Sequence, residues 1–271
     1  MLIDTHAHLT DEKYDNDRDL VISSLNENRV EKVFTVAYNK QSILDVVNLA
    51  NNYPNIYAII GIHPEDVNDY DEDTENMIRS LATNPKVVAI GEIGLDYHWD
   101  ISTKEKQKEI FVKQIKLAHE LKLPISIHNR DSIGDMLEVL KANKEYLTYG
   151  GVFHCFSESV EVYKELKKLG LKIAFGGTIT FKNSVTAPKV CEIADIEDIL
   201  IDTDCPYLTP HPYRGNRNEP KYTSLVAQKI GEIKGISYDR VVEITKNNAI
   251  NLFKKANNEQ YWNFKQIRFQ I

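Results

Sequence analysis

The sequence predicts an α/β fold, a (β/α)8 or TIM barrel made by one domain. Eight short runs of β-branched or apolar residues recur along the 271-residue chain, and stretches with helical periodicity separate them. Alternating strands and helices indicate parallel strands joined by right-handed crossovers. Eight such units over ~250 residues fit a closed barrel, and a doubly wound open sheet is the alternative.

The predicted strands follow one another without a linker, a low-complexity segment or a repeat that would divide the chain. They cover residues 2–5, 32–37, 56–61, 87–91, 124–127, 151–153, 171–176 and 199–202. Between the fourth and fifth strands, residues 104–121 place apolar side chains on one flank of a helix and lysines and glutamates on the other. Residues 223–234 and 238–256 show the same periodicity after the last strand.

We therefore expect one barrel domain over residues 1–257 and a C-terminal tail over residues 258–271. The tail is aromatic, and Ile267, Phe269 and Ile271 alternate as they would in a strand. Three interpretations stay open: the tail could cover the barrel surface, join a partner chain, or be an added sequence foreign to the barrel.

Composition excludes some classes of function. With 33 Lys and Arg against 40 Asp and Glu, the formal net charge is −7. No global positive field attracts nucleic acid or anionic lipid, so an anionic substrate must be held locally. Three cysteines without a C-x-x-C pair indicate a reducing compartment, and we expect the cytoplasm. No apolar run approaches the ~18 residues of a membrane helix.

Residues of metal-binding type lie near the ends of most predicted strands, where the active site of a parallel barrel is located. They are His6, His8, His63, Glu92, His128, His154 and Asp204. In a strand, Leu2, Asp4, His6 and His8 share one face, so two imidazoles could hold one ion. A hydrogen-bonded pair is the alternative for His6 and His8, and a hydrogen bond to a loop is the alternative for any single residue at a strand end. Because several strands end in such residues, a metal site is favoured.

Barrel closure brings distant residues together. Strand eight adjoins strand one, so Asp204 lies near His6 and His8, and adjoining strands five and six place His128 near His154. At the end of strand four, Glu92 could bridge two ions ~3.5–4 Å apart. We assign one divalent ion to His6, His8, Asp204 and Glu92, and the other to Glu92, His128 and His154.

Several motifs, taken in order, carry a family resemblance. "DTHAHL", "GIHPED", "GEIGLDYHW", "LPISIHNRD", "GVFHCFSES", "GGTITFKNS", "IDTDCPYLTPHPYRGNRNEP" and "NNAINLF" resemble the TatD-type metal-dependent deoxyribonucleases of the amidohydrolase superfamily. The resemblance implies a TIM barrel and a two-metal site with the same six ligands. Two features depart from the family pattern, namely Asp202, where a Glu commonly precedes T-D, and the aromatic tail.

The ligands carry two negative charges, from Glu92 and Asp204. Two divalent ions and one hydroxide bring the centre near +1, which suits a phosphodiester anion. Metal coordination lowers the pKa of water from ~15.7 to ~7, and Asp204 is our candidate for accepting the proton of that water. A role as ligand only is equally open for Asp204. The ions could be Mg²⁺, Mn²⁺ or Zn²⁺, because imidazoles favour the last two and phosphoryl chemistry commonly uses the first.

Substrate contacts are expected at the same rim. His63, Arg130 and Arg214 could bind phosphates, with a surface salt bridge or loop support as the alternative. Three aromatic residues could stack on bases of a single strand or could serve packing, namely Tyr97, Trp99 and Tyr207.

The sequence therefore favours a metal-dependent DNA hydrolase, an exonuclease on single strands or frayed ends. The alternative of the same chemical class is a hydrolase of a small phosphoester, ester or amide. A third hypothesis is a binding module with a vestigial metal site. Such a protein would lack one of the metal ligands, and none of the six is missing from this sequence.

Overall fold

A computed structural model, which describes residues 1–99 and 101–257, confirms the predicted barrel. Eight parallel strands form one sheet and pair in chain order. The strands are β1 Leu2–Ala7, β2 Val30–Val36, β3 Ile56–Ile60, β4 Val87–Asp96, β5 Ile125–Arg130, β6 Gly151–Phe153, β7 Leu171–Phe175 and β8 Ile199–Ile201. The strand-like tail predicted over residues 258–271 lies outside the described residues.

Helices cover the outside of the barrel. They are α1 Arg18–Ser23, α2 Lys40–Asn52, α3 Glu72–Leu81, α4 Lys104–Leu121, α5 Ile133–Ala142, α6 Val160–Lys168, α7 Thr186–Ile193, α8 Thr223–Lys234 and α9 Tyr238–Leu252. The predicted bounds of α4 and α8 are confirmed. None of the helices in the two described ranges is long and apolar enough to cross a membrane.

Helix α9 was predicted to run to Ala256, and this was wrong. The helix ends at Leu252, where Phe253 takes φ −94° and ψ 66°, and a short 3-10 helix follows. Phe253 is fully buried, with its ring 4.9 Å from that of Phe34 on β2. The burial of this aromatic side chain therefore directs the chain away from the helical path.

Two apolar cores lie on the two sides of the sheet. One cluster draws residues from seven of the eight strands, among them Ile3, Val88 and Leu200, and therefore fills the barrel interior. Phe253 and Ala256 close the amino-terminal side of this inner core. The larger cluster packs the strands against the surrounding helices. Because apolar side chains fill the amino-terminal part of the barrel interior, polar residues occupy its carboxyl-terminal part.

Strand β4 is longer and less regular than predicted. It was expected to end at Gly91, with Glu92 beyond it, but it continues to Asp96, so Glu92 lies inside the strand. The register with β5 shifts between Ile90 and Ile93. This irregularity turns Glu92 toward the barrel interior.

The strict alternation predicted for β1 is also wrong. Leu2 packs in the outer core and Ile3 in the inner core, although His6 faces the interior as well. The register of β1 against β2 shifts between Asp4 and Ala7, and this shift changes which residues face inward.

The barrel closes between β1 and the residues after β8 largely through polar contacts. Ala7 pairs with Cys205 in an isolated parallel bridge. The Thr203 hydroxyl donates to Asp4 Oδ2 at 2.6 Å, and its backbone N–H donates to Asp4 Oδ1 at 3.0 Å. Burial raises the pKa of Asp4 well above its ordinary value, although the Thr203 hydrogen bond opposes the shift.

Candidate metal centre

The six residues predicted as ligands converge at the carboxyl-terminal end of the barrel. His6, Glu92 and His128 lie within β1, β4 and β5, and His8, His154 and Asp204 follow β1, β6 and β8. A cavity of about 380 Å³ opens there, and five of the six line it. His6 lies beneath the cavity and is almost fully buried, with its ring stacked 3.9 Å from that of His154.

Glu92 divides these residues into two groups. Its Oε2 atom lies 3.4 Å from His6 Nε2 and 3.8 Å from His8 Nε2. Its Oε1 atom lies 2.7 Å from both His128 Nδ1 and His154 Nε2. Asp204 completes the first group, since its Oδ1 atom is 3.3 Å from His8 Nε2 and 3.9 Å from His6 Nε2.

The first group fits a divalent ion. His6 Nε2 is buried and has no hydrogen-bond partner among the described residues, although two carboxylates face it. Ligand atoms about 2.1 Å from a tetrahedral ion lie about 3.4 Å from one another. The separations of 3.3 to 3.9 Å in this group match that spacing.

The second group is held by hydrogen bonds from two imidazoles to Glu92, at 2.7 Å each. An ion on this side would replace the shared protons, as metal binding to histidine generally does. Imidazole nitrogens and carboxylate oxygens are suitable donors for Zn²⁺ and Mn²⁺. Both groups therefore offer donor sets that a divalent metal can use.

The buried histidines and carboxylates of the centre shift one another's pKa values. Burial lowers the pKa of His128, but hydrogen bonds to Asp96 and Glu92 outweigh burial and raise the pKa to about 9. Burial likewise opposes charge on His8, and Asp204 raises its pKa to about 9. Burial would raise the pKa of Glu92, yet His154 and His6 hold it well below its ordinary value.

Asp96 supports the centre, although it was not among the predicted site residues. Its Oδ2 atom accepts a hydrogen bond from His128 Nε2 at 2.9 Å, which directs Nδ1 of the same ring to Glu92. Its Oδ1 atom accepts from the His98 backbone N–H. The signal was the spacing of Glu92 and Asp96, four residues apart on one strand, but the predicted strand stopped at Gly91.

His63 lies at the centre, as predicted for a residue at the rim. Burial and the nearby His128 lower its pKa to about 3, so the ring is neutral at pH 7. Its Nδ1 atom accepts from the Glu65 backbone N–H at 3.2 Å, which assigns the ring proton to Nε2. Nε2 lies 3.8 Å from Glu92 Oε1 and can donate to a bound group.

His63, Glu65 and Asp96 also bring donor atoms within 4.8 Å of one another. Asp96 already accepts a hydrogen bond at each oxygen, so this trio is a weaker metal site than the two groups around Glu92.

The two predicted arginines differ in position. Arg130, at the end of β5, is the only lysine or arginine among the described residues that line the cavity. The guanidinium carbon of Arg214 instead lies 3.7 Å from the Phe181 ring centroid, and Arg214 does not line the cavity. The structure thus brings Arg130 to the centre and leaves Arg214 outside it.

The three aromatic candidates also differ. The Tyr97 hydroxyl donates to Asp135 at 2.9 Å, and its ring packs against the outer core. The Tyr207 hydroxyl donates to Asp11 at 2.8 Å at the cavity wall. Trp99 is 67% exposed. Packing therefore accounts for Tyr97 and leaves Trp99 without a structural role in the core.

The chain is similar to proteins of one known family. The profile of the family described as TatD related DNase matches residues 3–254. An uncharacterized metal-dependent hydrolase of Bacillus subtilis (strain 168) is 45% identical over 254 residues, or 94% of this chain and 99% of its own length. The 3′-5′ ssDNA/RNA exonuclease TatD of Escherichia fergusonii is 31% identical over 258 residues, or 93% and 98%. The crystal structure of the TatD homologue YjjV from Escherichia coli K12 has a TM-score of 0.88 at 29% identity, and the match covers 93% of this chain and 98% of that one.

Proposed function

This chain belongs to the TatD family of metal-dependent hydrolases, and from this premise we propose that it cleaves phosphodiester bonds of DNA as an exonuclease on single strands or frayed ends. The observation that carries the proposal is Glu92, whose two oxygens face separate histidine groups beneath one open cavity. The Escherichia fergusonii relative is named a 3′-5′ ssDNA/RNA exonuclease, and this name supports a nucleic-acid substrate.

Six residues would hold the two ions. The first ion is assigned to His6, His8, Asp204 and Glu92, and the second to Glu92, His128 and His154. Divalent ions bound there make water a nucleophile at neutral pH and polarise the phosphoryl oxygen. Mg²⁺, Mn²⁺ and Zn²⁺ are the candidates to test.

The remaining chemistry falls to side chains around these ligands. Burial opposes ionisation of Asp204, but its hydrogen bond with His8 lowers the pKa below the ordinary value, so the carboxylate is ionised and can accept a proton from the attacking water. Arg130 supplies the positive charge that binds the phosphate flanking the cleaved bond. His63 donates from Nε2 to the phosphate or the leaving group.

The test is hydrolysis of end-labelled single-stranded and duplex oligonucleotides by the purified protein. We expect a chelator to abolish cleavage and added Mg²⁺, Mn²⁺ or Zn²⁺ to restore it. The double variant Glu92→Ala, His128→Ala should lose cleavage by at least about a thousandfold, because both ligand groups lose members.

His119→Ala is the matched control, since His119 lies on α4 and does not line the cavity. It should cleave DNA at the rate of the unmodified protein. Full DNA cleavage by the double variant would refute the assigned centre.

The same protein should be assayed on simple phosphodiesters, esters and amides. The alternative, a small-molecule hydrolase, predicts a kcat/KM for one of these that exceeds the value for oligonucleotides by more than about tenfold, or ~1.4 kcal/mol. That result would overturn the proposal of DNA as the substrate.

A further inference from the structure

We propose that Trp99 and Arg130 form a subsite that holds one unpaired nucleobase at the mouth of the cavity. The inference rests on the proposed function and extends it, because it names a part of the substrate and the residues that bind it. The subsite would make the enzyme select single strands over duplexes.

Trp99 is exposed to a degree that packing does not explain. Two-thirds of the residue, 67%, is accessible, although tryptophan is among the residues most favourably buried. The His98 ring meets it edge-on, with centroids 4.6 Å apart, and His98 is itself 2.9 Å from Asp131. The indole is thus supported on one side and presents a face to solvent.

Arg130 lines the cavity and also contacts this ring. Its guanidinium carbon lies 5.4 Å from the Trp99 ring centroid, within the range of a cation–π contact. Arg130 pairs in register with Asp96 at the end of β4, and Trp99 lies three residues farther along, in the loop that follows this strand. Arg130 also follows the predicted ligand His128 by two residues.

These positions define a path for the substrate. Phosphate bound by Arg130 places the attached base within reach of the indole, and stacking on an aromatic ring accepts any base. Elsewhere the cavity wall carries Asp11 and Asp66, which repel a phosphate backbone. The backbone is therefore directed toward the side where Arg130 lies.

Strand selectivity follows from the same geometry. In a duplex both faces of an internal base are covered by its stacked neighbours, so it cannot lie on Trp99 without leaving the helix. An unpaired base carries no such cost. We expect the subsite to contribute to KM for single strands and little to the chemical step.

The first experiment compares two single-stranded oligonucleotides that differ at one position near the cleaved end, a thymine in one and an abasic spacer in the other. The unmodified enzyme should show a KM about tenfold lower for the thymine substrate, from stacking of that base. Trp99→Ala should remove this preference, and Trp99→Phe should restore most of it. Leu20→Ala, which changes an apolar side chain that is 69% exposed on α1, should keep the preference.

A spectroscopic measurement gives an independent readout. The chain has two tryptophans, so Trp262→Phe leaves Trp99 as the only indole. Titration with a hydrolysis-resistant phosphorothioate oligothymidylate should quench its fluorescence, and the abasic analogue should quench it much less.

The outcomes separate the two proposals. If the enzyme cleaves DNA and Trp99→Ala leaves both the base preference and KM unchanged, the subsite is wrong and the proposed function stands. Equal quenching by the two oligonucleotides would also overturn the subsite. If the unmodified enzyme cleaves no DNA under any metal condition, both proposals fail.

Discussion

At the scale of single residues, Asp96 determines which nitrogen of His128 faces the centre. A carboxylate bonded to one nitrogen of a histidine fixes the orientation of the ring and makes the other nitrogen a better ligand. Here Asp96 bonds Nε2 and leaves Nδ1 opposite Glu92. Asp96 thus fixes the orientation of the His128 ring, and we infer that it positions a proposed ligand.

We expect Asp96→Asn to weaken metal binding by about 10- to 100-fold, because the amide holds the ring less firmly and no longer increases its basicity. Metal titration of the chelator-treated protein, followed by calorimetry, measures the change. Asp131→Asn is the matched control, since Asp131 bonds the more exposed His98 and does not line the cavity. Equal metal affinity in the Asp96 variant and the control would show that Asp96 is not needed for positioning.

The convergence of the six predicted ligands could be read from sequence because barrel topology places every strand end at one rim. Asp96 was missed despite its spacing from Glu92, since its contact depends on an irregular β4 whose length apolar patterning does not reveal. Arg214 was expected at the rim and lies outside the cavity for a related reason. Its loop carries no periodicity, and its contact with Phe181 arises only in the folded chain.

At the scale of elements, β4 and β5 approach each other closely where Glu92 turns inward. Gly94 has φ +155°, and a Cβ atom there would lie 1.9 Å from the backbone oxygen of His128. The neighbouring atom is backbone and cannot move aside as a flexible side chain could. A glycine is therefore required between two residues that belong to the candidate centre.

Gly94→Ala should destabilise the fold by on the order of 3 kcal/mol, from backbone strain and a clash with β5. Urea unfolding measures this change. Gly134→Ala provides the control, because an added Cβ on α5 meets no atom within 4 Å and alanine favours a helix by up to about 1 kcal/mol. If both variants unfold at the same urea concentration as the parent, the close approach described for β4 and β5 is wrong.

Helices α4 and α8 were predicted with correct bounds because each has one apolar flank that a barrel surface buries. The end of α9 was not predicted, since the pattern of its last residues still reads as helical. Tertiary burial of Phe253 against Phe34 outweighs that local preference.

At the scale of the whole molecule, barrel closure depends on a short polar seam. Asp4 on β1 is fully buried, and Thr203 after β8 satisfies both of its oxygens. Asn218 adds a contact, since its side-chain amide donates to the Thr203 carbonyl at 2.8 Å. The seam thus joins the two ends of the sheet directly below the candidate centre.

Thr203→Val should lower the free energy of unfolding by about 1–3 kcal/mol, because it leaves a buried Asp4 oxygen without its hydroxyl donor. Thermal and urea unfolding measure the loss. The control is Thr35→Val on β2, whose buried hydroxyl has no partner among the described residues. That change should be neutral or stabilising, and a loss equal to that of Thr203→Val would argue against the seam.

The pairing of the first strand with residues after the last has a consequence for synthesis. On a ribosome, His6 and His8 are made almost 200 residues before Asp204. Until then β1 has no neighbour on one side and the first group of donors is incomplete. The polypeptide therefore cannot complete the first group of donors before the residues after β8 have left the ribosome.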